Sequence, residues 1–180
     1  HANNFCSITP KQPTGPFYKS KNLSSVTDMT NGGRAIGEVI EIKGRVLDNK
    51  CNPQPSCQIK IWQANAFGKY NHENDISKNK IDIDFIGYNK IITDRLGYYK
   101  FITIIPGSYK INKSIIRPPH IHILVEARNG KKLTTQLYFK DHPFNNGDFL
   151  YKNIKKKTLV NLSLSKINNK IKSAYLNIVI

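Results

Sequence analysis

The sequence predicts an all-β protein, a β-sandwich of two mainly antiparallel sheets with an extended N-terminal arm over residues 1–36. Three observations predict it. Short stretches of alternating or β-branched apolar character recur from Glu38 to the C-terminus, turn clusters separate them at close intervals, and no segment sustains the 3.6-residue period of a long helix.

The arm is rich in Pro, Gly, Ser and Asn and shows no period, so it reads as extended chain and turns. The first strand is expected in "EVIEIKGRVLD" (Glu38 to Asp48). The second is expected in "CQIKIWQAN" (Cys57 to Asn65), where Ile59 and Ile61 alternate with Lys60 and Trp62. "YYKFITI" (Tyr98 to Ile104), "HIHILVEAR" (His120 to Arg128) and "KLTTQLYF" (Lys132 to Phe139) follow, and "KTLVNLSLS" and "SAYLNIVI" close the chain. The turns between them are "DNKCNPQPS", "TDRLGYY", "IIPGSY", "RNGKK" and "KINNKIK". The rhythm of residues 42–109 is shared with non-enzymatic transthyretin-like carrier modules, so this stretch supports the fold and not a chemistry.

A chain of 180 residues suits a single domain, taken here as residues 1–180. No apolar run approaches the roughly 18 residues of a membrane span, and no spanning helix is expected. The chain opens at His1 without a hydrophobic leader, which we read as a mature or trimmed form. Lys and Arg number 28 against 12 Asp and Glu, a formal net charge of +16 that draws anions through the long-range field. The lysines are scattered, however, and only "KNIKKK" (Lys152 to Lys157) forms a run. With no zinc-finger, RRM or basic-zipper signature beside it, we expect a solvated basic surface and no nucleic-acid partner. Cys6, Cys51 and Cys57 allow three single pairings, each leaving one thiol over.

The chemistry centres on "RPPHIH". Side chains at i and i+2 of a strand leave the same face, so His120 and His122 project together, roughly 7 Å apart, a separation one metal ion bridges between converging rings. Three sets of partners compete. A zinc site needs a third His or a Cys, and His1, His72 and His142 are the remaining histidines. A cupin-type site would use Glu126 on the same strand and His142, although the Gly-Pro-Gly turn expected of that pattern is missing. The third set is Tyr70, which ends "WQANAFGKY", and Tyr109, which ends "PGSY", each just past a strand. Phenols titrate near pH 10, so ligating tyrosinates call for a strongly acidic cation such as Fe(III).

Here the residues carry a resemblance. "TPKQPTGPFY", "GRVLD", "IWQANAFGKYNHEND", "DIDFIGYNKIITDRLGYYKFITIIPGSY", "RPPHIH" and "LTTQLYF", in that order, resemble the intradiol ring-cleavage dioxygenases, the family of protocatechuate 3,4-dioxygenase and catechol 1,2-dioxygenase. The resemblance implies an Fe(3+) cofactor held by Tyr70, Tyr109, His120 and His122. It implies that Tyr109 swings away when substrate binds while Tyr70 stays. It implies that Arg117 and Gln136 line the substrate site, Arg117 stabilising charge that develops on the ring. The implied reaction inserts O2 between the two hydroxylated carbons of a catechol and gives a cis,cis-muconate.

Other expectations follow from where the chain fits within the family. Ile111 stands where protocatechuate enzymes commonly place an aromatic, which leaves the substrate open, and the net charge favours an anionic ring substituent. The arm has no room for the helical N-terminal domain of typical catechol 1,2-dioxygenases, so the likeness is to the shorter protocatechuate-like and exported branches. By analogy with exported members Cys6 pairs with Cys51, Cys57 stays free, and the protein is expected outside the cytoplasm. Family members range from single chains to large shells, so a homo-oligomer is also in scope.

Overall fold

A computed structural model describes residues 4–166 and 170–180. The first strand, β1 (Val39–Leu47), is the longest, and its buried positions alternate through Ile40, Ile42 and Val46 as a half-buried strand requires. Then come β2 (Gln58–Gln63), β3 (Tyr88–Ile92), β4 (Tyr98–Ile104), β5 (Tyr109–Lys110), β6 (Ile116–Arg117), β7 (His120–Glu126) and β8 (Lys132–Phe139). A one-turn helix α1 (Phe149–Lys152) precedes β9 (Asn161–Leu162), β10 (Ser165–Lys166), β11 (Lys172–Tyr175) and β12 (Ile178–Val179).

Two five-stranded sheets and a two-stranded ribbon result. In the first sheet β1 is central, antiparallel to β4 on one side and parallel to β11 and then β12 on the other, with β10 antiparallel to β11. The second runs β3-β2-β7-β8-β9, antiparallel except for the parallel β8–β9 pair. The ribbon is β5–β6, in which Tyr109 stands opposite Arg117. The expected class is therefore met: two mainly antiparallel sheets.

The core lies between the sheets. Ile59, Ile61, Ile121, Ile123, Val125, Leu133 and Leu137 from one meet Ile40, Ile42, Phe101, Ala174, Leu176 and Ile178 from the other. Each large apolar side chain fully removed from water contributes about 1.5–3 kcal/mol before entropy is charged against it. Strand alternation sends Trp62, His120, His122, Gln136 and Tyr138 to the opposite, outward face of the second sheet. An outward face is normally wet, yet all five are buried. The arm is the reason. Its Gln12 N–H donates to Thr134 O (2.9 Å) along the β8 edge, Thr9 exchanges hydrogen bonds with Val179, and a disulfide joins Cys6 to Cys51. Cys57 is free and buried in the core.

Some expectations differ in detail. "KTLVNLSLS" folds as a 3₁₀ turn over Lys157–Leu159 followed by the short strands β9 and β10, not as one strand. "KINNKIK" includes residues 167–169, outside the described residues. β3 and the β5–β6 ribbon were not expected, being too short or too mixed in pattern to stand out. Among the described residues no helix is long and apolar enough to cross a membrane.

Candidate active site

The site starts from strand register. Trp62, His122 and Gln136 lie side by side across β2, β7 and β8, and His120 faces Tyr138 in the next row. Trp62 stacks on the His122 ring, centroids 4.9 Å apart and planes 10° from parallel, which fixes the imidazole plane. The two imidazole centroids are 4.9 Å apart.

Turn chemistry delivers the tyrosines. In "QANAFGKY" the Asn65 side-chain oxygen accepts from the N–H groups of Phe67 and Lys69, while its backbone oxygen accepts from Gly68 and Gly107. The two Gly-x-Tyr turns thus hang on one residue. They also touch backbone to backbone: a Cβ at Gly68 would sit 2.5 Å from Ser108 O, and one at Gly107 would sit 2.5 Å from Ala66 O. Gly68 further adopts φ +79°, which disfavours any L side chain. This close approach sets the rings of Tyr70 and Tyr109 edge to face, centroids 5.7 Å apart. Phe17 of the arm stacks over Tyr70 at 4.4 Å.

Four side chains converge. The Tyr70 and Tyr109 hydroxyls each lie 3.4 Å from His120 Nε2. His120 Nδ1 is 2.7 Å from Pro118 O, and because a carbonyl only accepts, the proton sits on Nδ1 and the Nε2 lone pair faces the two phenols. A histidine that gives its far N–H to a backbone carbonyl and presents its other nitrogen is arranged as a metal ligand is. His122 Nδ1 is buried with no hydrogen-bond partner among the described residues. Burial first, and the Arg117 charge second, hold both histidines neutral, pushing His120 well below its usual range and His122 to about 3. Burial likewise raises the pKa of both tyrosines. Two neutral imidazoles and two phenols that the protein alone leaves protonated suit a strongly Lewis-acidic cation, and the donor set fits ferric iron.

Arg117 lies beside this group and is itself buried. Its Nε donates to Asp148 Oδ1 (2.8 Å) and its Nη2 to Gln136 Oε1 (2.8 Å), with Tyr138 Oη 3.4 Å from Nη2. Burial works to lower the arginine pKa, but the Asp148 carboxylate outweighs it and the net shift is upward. The amide of Gln136 is used at both ends, because Nε2 donates to Pro13 O (2.9 Å). Gln136 thus couples the arginine to the arm. Sequence reasoning missed Asp148, which caps α1 through Tyr151 N–H and neutralises Arg117. It also missed Gln12, whose amide bonds Tyr138 Oη, Thr135 Oγ1 and Gln136 O. The sequence signal for Asp148 is only a capping-type Asp before "FLYK"; for Gln12 there is none beyond its place in the arm.

The competing ligand sets come apart. Glu126 sits at the far end of β7, 3.8 Å from Lys132 Nζ. His142 follows β8 and its Nδ1 accepts from Phe144 N–H. His72 spends its nitrogens on Asn74 N–H and Tyr18 O, and His1 lies outside the described residues. No cluster of three or more His, Cys, Asp or Glu capable of holding a metal occurs among the described residues. The cupin-like arrangement is therefore a correction: strand spacing alone put Glu126 on the right face but several residues too far along it.

A cavity of about 620 Å³ opens above Tyr109, Arg117 and Gln136, walled by Pro13, Pro16 and Phe17 of the arm and by Phe149 and Leu150 of α1. Fold, cavity and buried donor set together define a single class, and comparison with known proteins agrees with it. A family model described as "Dioxygenase" matches residues 14–180, and the chain belongs to the intradiol ring-cleavage dioxygenase family.

Among its relatives, the protocatechuate 3,4-dioxygenase beta chain of Burkholderia cepacia is 37% identical over 136 residues, covering 71% of this chain and 58% of that protein. Catechol 1,2-dioxygenase of Acinetobacter baylyi is 30% identical over 155 residues, covering 79% and 50% respectively. This chain thus spans about half the length of these relatives. Among solved structures, 3-chlorocatechol 1,2-dioxygenase from Rhodococcus opacus superposes with a TM-score of 0.79 at 25% identity, covering 96% of this chain and 73% of that one.

Proposed function

We propose that this chain is a nonheme Fe(III) intradiol dioxygenase that opens catecholic rings between the two hydroxylated carbons with O2, giving cis,cis-muconate-type products. The carrying observation is the convergence of Tyr70, Tyr109, His120 and His122, two phenols and two neutral imidazoles, beside one cavity. These four residues would hold the ion. Ferric iron, when bound, supplies the Lewis acidity that keeps phenols and a catechol deprotonated and opens the ring to O2 without an external reductant.

The chain's own groups divide the remaining work. Tyr70 is fully buried under Phe17, and its backbone N–H is tied to Asp75 Oδ2 (2.8 Å), so it is the fixed phenol. Tyr109 lines the cavity in a two-residue strand, so, as the tyrosinate that a bound ferric ion would keep deprotonated, it is the ligand free to turn and take a proton from an entering catechol at its oxygen. Arg117 presents a permanent charge that stabilises negative charge developing on the ring, and its partners Asp148 and Gln136 hold the guanidinium in place before reaction. Trp62 covers the His122 ring and Phe17 covers the Tyr70 ring, and the apolar cover strengthens the electrostatic interactions of those groups.

Iron content, colour and oxygen uptake test the reading on one sample. Iron-loaded protein should be burgundy from tyrosinate-to-iron charge transfer, consume one O2 per catechol and form muconate in the ultraviolet. Arg117→Leu should lower kcat by on the order of 10²–10³ with iron retained. A colourless iron-loaded protein that leaves oxygen untouched would instead mark a transthyretin-like binding module on the same scaffold. The Cys6–Cys51 disulfide supports an oxidising, extracytoplasmic location as part of this proposal.

A further inference from the structure

The cavity is larger than one aromatic ring needs. At about 620 Å³ it falls within the ~300–1,000 Å³ of pockets that enclose drug-sized ligands. Its lining is mostly apolar, with Asn74, Ser77 and Lys110 as exposed polar members. Ile76, Ile111 and Phe149 line it while remaining 92%, 53% and 51% exposed, and Pro16 and the half-buried Leu150 belong to the same wall. Large apolar side chains gathered at a cavity mouth gain free energy only when something apolar covers them.

The charged groups of the lining are few, and the protein itself engages them in part. Arg117 is ion-paired with Asp148 through Nε and bonded to Gln136 through Nη2, and Gln136 Nε2 in turn donates to Pro13 O, so the protein already engages part of this polar group. Asp75 is a carboxylate itself, held by Tyr70 N–H and 3.3 Å from Lys69 Nζ. Lys110 is solvent-exposed at the rim, where water and salt screen its charge. The lining holds only Lys110 and Arg117 against Asp75, so most of the net charge of +16 lies away from the cavity.

We infer that the substrate is a catechol bearing an uncharged apolar ring substituent several carbons long, which lies against Ile76, Ile111 and Phe149. The inference rests on the ring-cleavage reading above and goes beyond it in naming the substrate class and the residues that select it.

The test uses as-isolated protein and two measurements on one ligand series: catechol, 4-methyl-, 4-propyl- and 4-hexylcatechol, and 3,4-dihydroxybenzoate. Binding is followed by calorimetry under anaerobic conditions and turnover by oxygen uptake in air. Affinity should rise roughly two- to fourfold per added methylene, with kcat/KM for the hexyl compound at least about tenfold above that for the carboxylate. Ile76→Asp and Phe149→Asp, at exposed positions where folding is insensitive to the change, should flatten the chain-length dependence, with thermal melts verifying that both fold. Oxygen uptake with plain catechol but a flat series, or tightest binding of the carboxylate, overturns the substrate inference alone. Chain-length-dependent binding with no uptake from any catechol overturns the ring-cleavage reading and leaves the apolar recognition standing.

Discussion

The ion pair between Arg117 and Asp148 joins the substrate side of the cavity to the short helix α1. Both side chains are buried, so neither charge has water to fall back on. Removing the carboxylate strands a buried guanidinium, and such a loss costs about 3–5 kcal/mol. Asp148→Ala should therefore lower the urea midpoint by an amount corresponding to that range, and the loss should exceed that of Asp148→Asn, which retains a helix cap and a neutral acceptor. Arg117 and Gln136 were legible in the sequence because the family resemblance carries them on compact motifs. Asp148 was not, since 31 residues separate it from Arg117 and only the fold brings them together.

Among elements, the two Gly-x-Tyr turns decide whether the phenols meet. Their mutual backbone contact leaves no space for a side chain at Gly107, where a Cβ would lie 2.6 Å from Gly68 N as well as 2.5 Å from Ala66 O. Neither obstacle is the end of a flexible side chain, so the turns must part. Gly107→Ala should cost about 1–3 kcal/mol in chemical denaturation and weaken iron retention by separating Tyr70 from Tyr109. β7 shows the other side of the same logic. Its alternation was readable and placed both histidines on one face, but the pattern did not reveal that this face, turned away from the core, is the one the arm seals. A strand's period tells which residues share a face; it does not tell what covers it.

At the scale of the whole molecule, the arm is a structural part of the site and the disulfide anchors it. Cys6 and Cys51 enclose a separation of 45 residues, for which the chain-entropy account gives about 3–4 kcal/mol of stabilisation. Reduction, or Cys6→Ser, should lower stability by that order, and an accompanying rise in protease cleavage within the arm should mark its release from the β8 edge.

Stability should also fall with acid in a defined way in the metal-free protein. The folded His120 and His122 lie below the ordinary histidine range, so the unfolded chain binds protons first. Their stabilisation is complete above about pH 6.5 and is lost as the pH drops toward the folded values, about 3 for His122. Asp28 and Asp75 add to the decline below about pH 4. Burial would raise both, but hydrogen bonds from Thr30 in one case and from Tyr70 N–H and Ser77 in the other outweigh it and hold them low. Urea midpoints measured across pH 3–8 on iron-free protein should trace this descent, and Asp75→Asn should remove part of its lower limb.

By itself the sequence determined the all-β class and most strand positions, because strand period and turn residues are local, and its compact motifs, through the family they resemble, nominated Tyr70, Tyr109, His120, His122 and Arg117 as the candidate site. Tertiary structure decided what local pattern cannot encode: that the arm buries an outward sheet face, that Asp148 and Gln12 complete the polar network, that Glu126 stands away from the histidines, and that the cavity beside "RPPHIH" is roomy and mostly apolar in its lining. Each depends on residues distant in sequence meeting in space, where burial and charge pairing take their values from the partner and not from the residue alone.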